Sequence, residues 1–99
     1  MIVHIVMWRI KPEIEDPQAA VKRIVGALES LSGTVPQILH LEVGAPNLSE
    51  SPAGYDVALY TQFASMEDLE AYRIHPAHIK AAELIQSLVA ERAVVDYKA

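Results

Sequence analysis

The chain contains no cysteine. Disulfides, thiolate nucleophiles and cysteine-held zinc or iron–sulfur sites are thereby excluded, and a reducing, cytoplasmic setting is expected. Positive charge is also scarce. Eight Lys and Arg stand against thirteen Asp and Glu, a formal net charge of −5, and the basic residues form no run. Phosphate backbones are bound by clustered Lys and Arg, so nucleic acid is not expected as a partner. The four glycines, Gly26, Gly33, Gly44 and Gly54, lie far apart and make no phosphate-cradling loop. No Gly-x-Ser-x-Gly elbow and no His-Glu-x-x-His pair occurs. The apolar start, Met1 to Trp8, lacks a basic lead-in and a cleavage site, and Arg9 and Lys11 interrupt it too soon for a membrane span. Repeats, linkers and low-complexity tracts are missing as well, which leaves one domain over residues 1–99.

What is present is a dense apolar pattern, 52% of the residues, as in ordinary globular domains. Residues 2–10 are rich in β-branched and aromatic types and stop at Lys11-Pro12, which predicts a strand. One of its faces carries Ile2, His4, Val6, Trp8 and Ile10, the other Val3, Ile5, Met7 and Arg9. Asp16-Pro17 opens a helix, with Ala20, Val21, Ile24, Leu28 and Leu31 at helical spacing and Gly33 as its stop. Residues 38–44 predict a second strand, 45–54 a loop, and 55–63 a third strand. Ser65 to Asp68 resembles a capping box for a short helix that ends near Ile74, because His75 precedes Pro76. Pro76 then starts a helix to about Ala90, with Ile79, Ala82, Ile85 and Val89 on one stripe, and residues 93–97 form a fourth strand.

The order βαββαβ is the ferredoxin-like α+β arrangement, with helices on one face of a four-stranded antiparallel sheet. The opposite face is left bare while still carrying Val3, Ile5, Met7, Leu39 or Leu41. A chain this short buries only about 60–65% of its unfolded surface alone. Pairing two bare faces across a two-fold axis covers them, so a homodimer through the sheet is expected, as a dimeric α/β barrel.

Several residues have the chemistry for proton transfer. Imidazole titrates near neutrality, and a phenol can donate to a developing oxyanion. His78 on a helix, Tyr72 a turn away and His4 on an apolar strand make such a set, and Asp96 would orient His78 if it points there. Each has a structural alternative: His4 as a hydrogen-bonded core histidine, His75 as a helix cap, Tyr72 as helix core and Asp96 as an exposed strand residue. The pair His75-x-x-His78 shares a helix face suited to a metal, but no third ligand at a defined spacing accompanies it, and no metal is expected.

Val3-His4-Ile5-Val6-Met7-Trp8, Gly44-x-x-Asn47, Gly54-Tyr55-Asp56, Phe63 and Tyr72-x-x-His75-Pro76-x-His78 together resemble the stress-responsive A/B barrel (Dabb) family over almost the whole chain. That resemblance implies a ferredoxin-like protomer dimerising through its sheet. The family includes plant stress-associated proteins and a plant polyketide cyclase, olivetolic acid cyclase, which works without a cofactor by histidine-driven proton abstraction. By this resemblance His78 is the base, Tyr72 its partner hydroxyl, His4 a pocket histidine and Asp96 the acid beside the base. Two departures stand out: Val57 replaces a further pocket histidine, and the first helix supplies Ile24, Ala27 and Leu28 in place of aromatic walls.

Two functions follow as expectations. One is a cofactor-free cyclase, isomerase or lyase acting on an enolisable carbonyl compound. Its pocket would be lined by His4, Val6, Trp8, Val57, Leu59, Tyr72, His78, Val94 and Asp96. The other is a non-catalytic, stress-associated or small-ligand-binding dimer.

Overall fold

A computed structural model describes residues 1–99, in the order β1 (Ile2–Ile10), α1 (Pro17–Glu29), β2 (His40–Gly44), β3 (Val57–Phe63), α2 (Met66–Ile74), α3 (Pro76–Leu88) and β4 (Val89–Lys98). The four strands form one antiparallel sheet in the order β2-β3-β1-β4, the ferredoxin-like α+β topology.

Local chemistry sets most boundaries. Asp16 accepts a hydrogen bond from the Ala19 amide at 3.0 Å with Pro17 at the first helical position, and α1 begins there. Ser65 caps α2 through the Asp68 amide at 3.2 Å. His75 is extended (ψ 134°) before Pro76, so α2 stops, and its Nδ1 accepts from the Ala77 amide at 3.0 Å to cap α3. His75 is therefore a cap. Gly33, at φ +82°, takes the left-handed turn that follows α1.

Several boundaries differ from expectation, beginning with α1, which ends at Glu29 ahead of Leu31 and Gly33. β3 starts at Val57 because Asp56 is occupied in closing the ladder: its amide donates to the Trp8 carbonyl and its carboxylate accepts from the Ile10 amide, both at 2.8 Å. β2 starts at His40, although the Leu39 amide already donates to the Gln62 carbonyl at 2.9 Å. β4 is twice as long as expected. Val89 leaves helical geometry (φ −112°, ψ 147°) and pairs with Ile10 across a register shift, since β1 offers a ladder along its whole length. Val89 thus belongs to the sheet, not to the α3 stripe. That stripe is also rotated: Ala81 and Ile85 are buried, while Ile79 is exposed.

The core lies between the sheet and the helices. Val6, Val57, Leu59 and Phe63 meet Ile24 and Leu28 from α1, Leu69 and Tyr72 from α2, and Ile85 from α3. Burying each large side chain contributes about 1.5–3 kcal/mol. Register places Leu41 opposite Thr61 and Val43 opposite Leu59, so both strand residues pack on the core side. Leu41 is therefore corrected from the bare face to the helical one. The face away from the helices carries Val3, Ile5, Met7, Val95 and Tyr97 around the β1–β4 ladder, with Val3 already buried within the protomer. Met7, Val95 and Tyr97 are exposed there.

Candidate functional site

His4 sits mid-strand on β1, flanked by Thr61 on β3 and Asp96 on β4. It is 3% exposed. Its Nδ1 lies 2.5 Å from Asp96 Oδ1. A carboxylate only accepts, so Nδ1 carries the hydrogen and Nε2 keeps its lone pair. Asp96 Oδ2 accepts from Arg73 Nη2 at 2.7 Å, and Arg73 also pairs with Glu70 on its own helix. Thr61, fully buried, donates its hydroxyl hydrogen to the His4 carbonyl at 2.8 Å.

The helix break prepares the second histidine. Pro76 has no amide hydrogen, and the Ala77 amide is taken by His75, so neither needs the Arg73 carbonyl. His78 Nδ1 donates to that carbonyl at 3.0 Å. Here too the lone pair is left on Nε2. Between the two imidazoles stands the buried Tyr72 ring, its centroid 4.3 Å from His78 and 6.0 Å from His4.

Electrostatics follows from burial. Desolvation lowers the pKa of both histidines, against the raising effects of Asp96 on His4 and of the Arg73 carbonyl on His78. Burial pushes the Tyr72 phenol up to about 12, so it stays a proton donor. The site therefore holds two neutral imidazoles and a protonated phenol near pH 7.

These groups face a cavity of about 480 Å³ under α3, within the range of small-molecule sites. His4, Val6, Trp8, Leu59, Tyr72 and His78 line it, as the sequence suggests. Val57 does not. It is buried opposite Trp8 within the core. Val94 is turned to the helical side of the edge strand but stays half exposed and outside the cavity wall. Asp96 stands behind His4, a quarter exposed, and does not orient His78. The strand register puts it directly opposite His4, and His78 is satisfied by main chain instead.

Leu28, Ala81, Ala82, Ile85, Gln86 and Arg92 complete the wall. Strand alternation puts Arg92 on the same face as Val94, and the full length of β4 brings this exposed side chain to the cavity wall. No three His, Asp or Glu side chains converge on a point that would hold a metal ion. A second, more open hollow of about 680 Å³ between α1 and the 45–56 loop contains neither histidine nor tyrosine. No helix is long and apolar enough to cross a membrane.

Comparison with known proteins bears on this arrangement. The family model of the Stress responsive A/B Barrel Domain (Dabb) matches residues 2–99. A stress-response A/B barrel domain-containing protein of Arabidopsis thaliana, DABB1, is 25% identical over 99 residues, which are 98% of this chain but 46% of that protein. The chain thus spans about half the length of that relative. A dimeric protein of unknown function and ferredoxin-like fold from Bacteroides fragilis superposes with a TM-score of 0.85 at 27% identity, covering 99% of this chain and 95% of that one. The hydroxynitrile lyase of Passiflora edulis shares the fold with a TM-score of 0.82 at 22% identity, covering 97% and 90%.

Proposed function

Because the chain belongs to the stress-responsive A/B barrel domain family, we propose that it is a homodimeric small-molecule enzyme that moves a proton on an enolisable carbonyl substrate. One observation carries this: the Tyr72 phenol lies between two imidazoles, each hydrogen-bonded only through Nδ1, on the wall of a largely apolar cavity. In the proposed step, His78 Nε2 takes a proton from the carbon beside the carbonyl. The C–H electron pair becomes an enolate, and the Tyr72 hydroxyl donates a hydrogen bond to its oxygen. His4, held by Asp96, faces the same space as a second acid–base group. Val6, Trp8 and Leu59 supply the apolar wall. An acid and a base suffice for this step, and no cofactor is invoked. A fold shared with a hydroxynitrile lyase is compatible with such chemistry, without specifying it.

The homodimer would form through the bare sheet face, where Val95 and Tyr97 are each about half exposed in the single protomer.

The test is exchange of α-protons of simple ketones into D2O, followed by proton NMR. Wild type should accelerate exchange, and Tyr72→Phe and His78→Ala should each lose most of that acceleration, roughly 100-fold or more for the base. Retention of full rate in both variants would show that the site is misassigned.

A non-catalytic ligand-binding dimer is the second reading, favoured by the chain Glu70–Arg73–Asp96–His4, which ties α2, β4 and β1 together as a structural brace. Ligand binding with no exchange on any enolisable ketone would select it.

A further inference from the structure

Three arginines lie near the sheet, and two are engaged. Arg73 pairs with Asp96 and Glu70, and Arg9 lies 4.5 Å over the Tyr55 ring with its Nε 3.5 Å from Glu91. Arg92 has neither an ion pair nor a hydrogen bond, yet it lines the histidine-bearing cavity. Its one carboxylate neighbour in that wall, Glu91, is the residue held by Arg9. With both imidazoles kept neutral by burial, the guanidinium is the uncompensated charge of the cavity. This occurs in a chain of net charge −5, so a general surplus of surface cations does not explain it.

We propose that Arg92 anchors a carboxylate, and that the cavity accepts enolisable keto acids, with the anion at the Arg92 end and the carbonyl at the Tyr72–His78 end. This deepens the proton-transfer reading and rests on it. Arg92 pairs with Trp8 in the ladder, four residues along the strand from the His4–Asp96 pair. At a rise of about 3.3 Å per residue the two backbone positions are roughly 13 Å apart along the sheet, so anion and carbonyl would occupy separate ends of the cavity. The stretch between them is apolar on β1, through Val6. Arg92 is exposed at the cavity rim, and its planar guanidinium matches a carboxylate in a two-point fork. Arg92 also acts electrostatically on His4, Tyr72 and His78, which places its charge within reach of the reacting groups. An anion bound there would offset that influence.

The experiment uses the full chain and two matched probes, 4-oxopentanoate and its neutral amide, 4-oxopentanamide, titrated by NMR. Wild type should bind the acid roughly tenfold more tightly than the amide. Arg92→Gln should abolish that preference, and Arg92→Lys should retain part of it. His78→Ala should keep the preference while losing α-proton exchange. Equal affinities in wild type, or an undiminished preference in Arg92→Gln, would overturn the proposal. A clear acid preference without exchange in wild type would uphold the anion anchor and sink the proton-transfer reading. Exchange without preference would do the reverse.

Discussion

His4 Nδ1 lies 2.5 Å from the carboxylate of Asp96, its directly opposed partner in the β1–β4 ladder, while His78 is held by the main-chain carbonyl of Arg73. Two histidines on either side of one tyrosine are thus oriented by different means. One depends on a titratable carboxylate, the other on a helix break.

Asp96→Asn should therefore act on His4 and leave His78 almost unmoved. Asp96 raises the His4 pKa against desolvation, so its loss should lower that pKa further. The change also removes one of the two charged partners of the part-exposed Arg73, and a cost of at most about 1 kcal/mol in stability is expected. Histidine NMR titration of wild type and variant checks the first point, urea denaturation the second. A shifted His78 with an unshifted His4 would contradict the geometry.

Stability should fall in acid below the usual histidine pKa. The folded pKa values of His4 and His78 are both depressed from 6.5 by burial. Their contribution is complete above pH 6.5 and declines as pH falls, because the unfolded chain takes up protons first. Each histidine adds at most about 1.4 kcal/mol per pH unit to that slope. Denaturant midpoints at pH 5 and pH 7.5 measure it, and His4→Gln should flatten the dependence. Proton-transfer activity should fall at lower pH than stability begins to, because the His78 base in the folded site is protonated only through its depressed pKa.

Val95→Asp should convert a dimer into a monomer. Val95 is exposed on the bare face opposite Ile5, and a carboxylate there would meet its own symmetry mate or an apolar surface. Sedimentation velocity at micromolar concentration should show twice the protomer mass in wild type and a single protomer in the variant. A wild type that sediments as a protomer would remove the dimer from the account.

Thr61→Val keeps the shape of a fully buried side chain and deletes its hydrogen bond to the His4 carbonyl. A loss of about 1 kcal/mol is expected, with no change of fold by circular dichroism. If His4 depends on this contact for its placement, its NMR titration should shift as well.

Much of the architecture was legible in the amino-acid order, because its signals are local. Asp16-Pro17, Ser65 and His75-Pro76 mark helix starts within three residues, and the period-two pattern of Ile2 to Ile10 sorts one strand into two faces. The two-faced apolar β1, from which a sheet-paired dimer is inferred, needed nothing more. Sequence alone also brought His4, Tyr72 and His78 into one short set of candidates. Which acid serves which histidine was decided by tertiary structure, since Asp96 is 92 residues from His4 and only strand register makes them opposite. The same ladder drew Val89 out of the helix and extended β4 far enough to bring Arg92 to the cavity wall, and the separate β2–β3 register put Leu41 on the core side. Local propensity acts over a few residues, whereas ladder pairing and helix docking join groups whose separation along the chain carries no information about their distance.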